Sequence, residues 1–167
     1  LHTMSADQPA IESNLPSEDE LVNVLEDTTD VPMRRPDLKL YQSLVVDDEV
    51  RELISLSDEY LQAIGYTDHG IRHVGRVAMR AAKIVRLVGG NAHEEDLAAC
   101  AGLLHDIGNL VHRSEHDQAS AHIDFDLLPS RRSSLWEFER TCAAIRTHAQ
   151  HNRVPTAPVS AAMLITL

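Results

Sequence analysis

Apolar residues recur at helical spacing through most of the chain beyond residue 36. Val46, Val50, Leu53, Ile54, Leu61 and Ile64 form one stripe, with Gly65 placed to end the helix. Thr67 or Asp68 can cap a second helix, whose stripe is Ile71, Val74, Ala78, Ala81, Val85 and Val88 before Gly89 and Gly90. Asn91 and Glu94 make the capping-box pair that opens a third. There Leu97, Ala98, Cys100, Ala101, Leu103 and Leu104 wrap nearly the whole circumference, the mark of a buried central helix. Residues 117–128 predict a fourth helix stopped by Pro129, and Ser134 with Glu137 repeats the capping box for a fifth reaching about His151. Pro158 suits the first position of a sixth, VSAAMLITL. No run alternates with period two for long enough to make a strand. The fold class is therefore all-α, a compact helical bundle of five to six core helices.

Composition narrows the class further. At 167 residues the chain has room for one ordinary domain. Hydrophobic residues are 43% but aromatics only 4%, so the core rests on Leu, Ile, Val and Ala. Residues 1–36 hold eight acidic residues, two basic ones and four prolines, and read as an acidic, flexible amino-terminal extension whose LHTM start resembles a cloning remnant. A short helix over residues 18–25 is compatible with its pattern, and residues 37–167 form the domain. The formal charge of -11 opposes binding to a polynucleotide. No stretch reaches the roughly 18 apolar residues that span a bilayer, and no basic region precedes an apolar run at the amino end. The expectation is a cytoplasmic protein without a membrane partner, compatible with a homodimer, in which Cys100 and Cys142 are reduced thiols packed in helices. Two cysteines cannot supply a Cys₄ zinc site.

Histidine changes this picture. There are ten, six of them between His105 and His151. The strongest local signal is LLHDIGN, which puts His105 and Asp106 at the end of a helix that is apolar on every side. An ionised carboxylate buried beside an imidazole is costly unless compensated, and a metal ion is the usual compensation. A capped helix end that turns at Gly108 is the plainer reading of the same residues. His73 stands beside the apolar stripe of the second helix. His116 follows Asp106 by ten residues, and His148 lies one turn after Ile145 near the end of the fifth helix.

This set resembles the HD-domain metal-dependent phosphohydrolases, whose pattern H…HD…D extends in many branches to H…HD…H…H…D. His73 matches the first His through H-x-x-R-V-A, which takes in Arg76, Val77 and Ala78. His105 and Asp106 match the HD pair within a run like "LLHDIGK", and His116 and His148 match the two additional histidines. The resemblance covers about residues 58–167 and implies a metal held between helices of an HD-domain bundle. The implied metal ligands are His73, His105, Asp106, His116 and His148, with Asp106, His116 and His148 also in catalytic roles. Imidazoles with one carboxylate favour a transition metal over Mg²⁺ or Ca²⁺. One or two divalent ions are expected, from Fe, Mn, Zn, Ni or Co, with Fe or Mn favoured, and Asp106 is the natural bridge between two. The implied activity is cleavage of a phosphoester or phosphoanhydride by metal-activated hydroxide, in a small phosphorylated compound, above all a nucleotide. A catalytically silent HD domain that binds a nucleotide or a protein partner is the main alternative, and a di-iron HD-type oxidase the second.

Two departures from the pattern bear on activity. Asn109 stands where many members carry a Lys that meets phosphate. The last ligand of the pattern, an Asp after a lead-in like Ala161-Ala162-Met163-Leu164-Ile165, falls just past Leu167, so the domain is expected to be truncated at its carboxyl end. Substrate contacts are expected from His69, Arg72, Arg76 and Asn109. His69 is four residues before His73, which predicts a shared helix face; a surface capping role is its alternative. His2, His93, His112 and His122 are expected at the surface, His151 rivals His148 as ligand, and Arg131 and Arg132 read as loop.

Overall fold

In the computed structural model, which describes residues 37–66, 69–130 and 135–148, the chain enters its first helix through a contact made far along the sequence. Helix α1 (Lys39–Val45) has no capping side chain of its own at Leu38. Asp96 supplies the cap instead: its carboxylate accepts the N–H groups of Leu40 and Tyr41, both at 2.9 Å. Burial pushes the Asp96 carboxyl up, and those two N–H groups pull it part of the way back. Leu38, Tyr41, Leu44 and Val45 are buried, which anchors α1 in the core.

Helix α2 (Asp48–Ala63) follows at once, because Asp47 breaks the helix and caps the next one by accepting from Glu49 and Val50. Two expectations are corrected here. Val46 is not in the stripe of this helix but closes α1, 58% exposed, and Ile64 is the exposed C-cap of α2. Seven residues are too few to show a period, so α1 left little trace in the pattern. Gly65, at φ 93°, ends α2 as expected, since that backbone region is open to glycine at little cost.

Helix α3 (Ile71–Leu87) buries Val74, Ala78, Ala81 and Val85, as its stripe predicts. Its N-cap is Gly70; Thr67 and Asp68 lie outside the described residues. Helix α4 (Ala92–Leu104) opens with the capping box of Asn91 and Glu94, and every residue from 95 to 104 is buried. It is the central helix. A Cβ on Gly102 would stand 2.6 Å from the Ala78 Cα, so the absence of a side chain there lets α3 and α4 pack backbone to backbone. Glu95 of α4 takes a two-pronged bond from Arg86 of α3, at 3.0 and 2.6 Å.

After α4 the chain passes through 3₁₀ turns at Ile107–Leu110 and Arg113–Glu115 into α5 (His116–Ser130), and then α6 (Leu135–His148). Helix α5 is described to Ser130, so it passes through Pro129 instead of stopping at Leu128 as predicted. Arg140 of α6 reaches Glu94 of α4 at 3.1 Å. Cys100 and Cys142 are both buried and are not joined by a disulfide. The described residues hold six α-helices and no strand, and the fold is all-α. The extension 1–36, the Arg131-Arg132 pair, the Ser134 cap, His151 and the sixth predicted helix lie outside the described residues. No helix among the described residues is long and apolar enough to cross a membrane.

Candidate metal centre

The HDIG segment leaves α4 at a break that three polar side chains hold open. Ser57 of α2 donates to the Asp106 carbonyl at 2.8 Å. Ser120 of α5 accepts the Gly108 N–H at 2.8 Å and donates to the His105 carbonyl at 2.6 Å. Asn109 donates to the Asp106 carbonyl at 2.8 Å and to its carboxylate Oδ1 at 3.1 Å. A Cβ on Gly108 would collide with the backbone of His116 and Ser120, so only glycine lets this turn lie against the start of α5. That contact sets His116 beside Asp106.

Three imidazoles then face one carboxylate. Asp106 Oδ2 lies 3.2 Å from His105 Nε2 and 3.6 Å from His73 Nε2, while Oδ1 lies 3.6 Å from His116 Nε2. His105 Nδ1 meets the Gly102 carbonyl at 2.9 Å, and His116 Nδ1 meets the Arg113 carbonyl at 2.9 Å. A carbonyl only accepts, so each Nδ1 carries a hydrogen, and Nε2 is the ring nitrogen that each histidine turns toward Asp106. The donor atoms of His73, His105 and Asp106 lie within 4.8 Å of one another, a spacing one metal ion can bridge. This donor set, imidazole nitrogens around a single carboxylate, fits a divalent transition metal.

Electrostatics agree with the geometry. Burial alone pushes the Asp106 carboxyl up, but His105 first, then His73 and His116, outweigh it and hold the group well below the usual carboxylate range. Burial and then the nearby His105 lower His73 to about 4, against a partial pull from Asp106, so it is neutral at physiological pH. Burial also lowers His116. His105 is fully enclosed, which opposes its charge, yet the Asp106 carboxylate prevails and raises it.

Helices α3, α4 and α5 thus bring together four of the five expected ligands. His148 is the last residue of α6, and its side chain lies outside those described. His69 precedes the Gly70 cap, so it does not share a helix face with His73; the loop brings their rings to 5.1 Å instead. Its N–H is held by Asp58 at 3.0 Å. Arg72 is exposed on α3, and Arg76 is half-buried and close enough to help lower His73. Asn109, expected at the substrate, is fully enclosed: it gives its N–H groups to Asp106 and accepts from Arg113 at 3.0 Å. His93, His112 and His122 are exposed, as expected. Sequence reasoning missed Ser57 and Ser120, which hold the turn, and Arg113, which meets Asn109.

An all-helical bundle with a histidine-aspartate centre at a helix break defines the class. The HD domain family matches residues 70–164, more than half of the chain, and the chain belongs to that family. An uncharacterized protein of Methanocaldococcus jannaschii is 27% identical over 116 residues, which are 60% of this chain and 45% of the relative. The chain spans less than half the length of that curated relative. No solved structure matches it.

Proposed function

We propose that the chain is a metal-dependent phosphohydrolase domain acting on a small phosphorylated compound, with a nucleotide as the leading candidate. The observation that carries this reading is the convergence of three Nε2 atoms on the Asp106 carboxylate. His73, His105, Asp106 and His116 would hold the ion, with His148 as a further ligand. A bound divalent transition metal, Fe or Mn being favoured, supplies Lewis acidity toward a phosphoryl oxygen and an activated water. The chain's own residues prepare for it. The Gly102 and Arg113 carbonyls fix the rings of His105 and His116, so no tautomer change is needed to accept a cation. Asp106 stays ionised and His73 neutral, the forms in which each donates an electron pair.

The test is metal content by mass spectrometry alongside phosphate release from a panel of phosphoesters and nucleotides. Wild-type protein is expected to bind metal and release phosphate, and His105→Ala to lose both. Asp106→Ala is expected to abolish metal binding while keeping its helical circular dichroism. Full metal occupancy in Asp106→Ala, or no hydrolysis by a fully loaded wild type, sinks the reading.

A further inference from the structure

Arg113 is a cation placed beside a centre built to hold another cation. It is half-buried, and its backbone carbonyl meets His116 Nδ1 at 2.9 Å, which sets it beside the centre. Its guanidinium lies 4.7 Å over the Tyr66 ring and donates one hydrogen bond, at 3.0 Å, to Asn109 Oδ1. Asn109 stands between it and Asp106, so Arg113 makes no ion pair among the described residues, and most of its five N–H donors are unspent. The guanidinium is thus held on one face by the ring and at one edge by the amide. Two fixed positive charges side by side repel, and an anion lying between them removes that cost.

A second observation lies on the same tyrosine. The His69 ring meets Tyr66 edge-on, with centroids 6.0 Å apart, and its buried Nδ1 finds no hydrogen-bond partner among the described residues. Buried polar atoms of this kind are rare without a ligand or water to meet them.

We propose that Arg113, seated on Tyr66 and joined by His69, forms an oxyanion subsite beside the candidate metal centre, which takes the non-reacting oxygens of the substrate's phosphoryl group. The guanidinium provides paired donors that suit a tetrahedral phosphate. Tyr66 and Asn109 are positioning residues: the ring supports the cation from below, and the amide carbonyl fixes its near edge. The subsite rests on the phosphohydrolase reading for its substrate, and its own test does not need turnover.

The experiment is calorimetric titration of the metal-loaded full chain with inorganic phosphate, comparing wild type with Arg113→Ala, Arg113→Lys and Tyr66→Leu. Arg113→Ala should weaken phosphate binding about tenfold or more, with metal content and circular dichroism unchanged. Arg113→Lys, a point charge without the fork, should keep part of the affinity. Tyr66→Leu, a change at an exposed position, should weaken binding severalfold and keeps the test open if Arg113→Ala fails to fold. Phosphate affinity unchanged in either truncation overturns the subsite. So does loss of metal together with phosphate in Arg113→Ala, or a wild type that ignores phosphate at millimolar concentration. If phosphate binds through Arg113 but no phosphoester is hydrolysed, the subsite stands and the phosphohydrolase reading falls. If hydrolysis proceeds with an unchanged KM in Arg113→Ala, the reading stands and the subsite falls.

Discussion

Asp106 can be a buried anion because every atom around it has been given a task. Its carbonyl accepts from Ser57 and from Asn109, and its carboxylate oxygens divide between Asn109 and three imidazoles. Removal of Asn109 would leave the carboxylate free to turn without touching any histidine. Asn109→Ala is therefore expected to lower metal affinity about 10–100-fold with little change in the helical signal, measured by competition with a chelating dye. An unchanged affinity with a raised KM would return Asn109 to the substrate side. His105 and Asp106 were legible in the sequence because a polar pair at the end of an apolar helix breaks the pattern, and the resemblance to the HD-domain family drew in His73 and His116. The residues that hold them were not, since an isolated Ser or Asn in a helix or turn looks the same whether it faces solvent or a backbone carbonyl.

At the scale of elements, the same limit appears in the helices. The stripe of α3 and the all-round apolar surface of α4 were read correctly, because in both the period or its absence reports burial directly. Helix α5 shows no such stripe: its buried face carries His116, Ser120 and Asp124 at four-residue spacing, so polarity and burial point in opposite directions. Helix α1 escaped notice because its cap is supplied by α4. Asp96→Ala would orphan the N–H groups of Leu40 and Tyr41, at an expected cost of about 1–3 kcal/mol. Urea unfolding should show a lowered midpoint, with Asp96→Asn less affected because one acceptor oxygen remains. Equal loss in both variants would mean that the charge, not the cap, is what α1 needs.

For the whole molecule, the most exacting feature is Asp124, fully buried in α5 with neither carboxylate oxygen hydrogen-bonded among the described residues. Burial holds its carboxyl well above the ordinary 3.8. Burial, and then the nearby Asp124, also push the Cys142 thiol of α6 up to about 12. The native state thus binds the Asp124 proton more tightly than the unfolded chain does. Its contribution to stability is complete below about pH 3.8 and is lost as pH rises through the raised value. In Asp124→Asn that loss disappears. The melting temperature of the variant relative to wild type is expected to climb between pH 4 and pH 8, by about 2–4 °C for each kcal/mol recovered. A difference independent of pH would show that the carboxyl finds a partner in solution.

The sequence by itself determined that this protein is all-helical and which helix lies at the centre, while the resemblance to the HD-domain family pointed to His73, His105, Asp106, His116 and His148 as one set. Helical period and the cost of burying a charge are local facts that residue order records. Only the tertiary structure decided that Asn109 faces inward, that Asp96 caps a helix more than fifty residues away, and that Arg113 lies over Tyr66 and bonds Asn109 beside the centre. Those are matters of which backbone and side-chain groups meet across helices, and spacing along one chain carries no record of them.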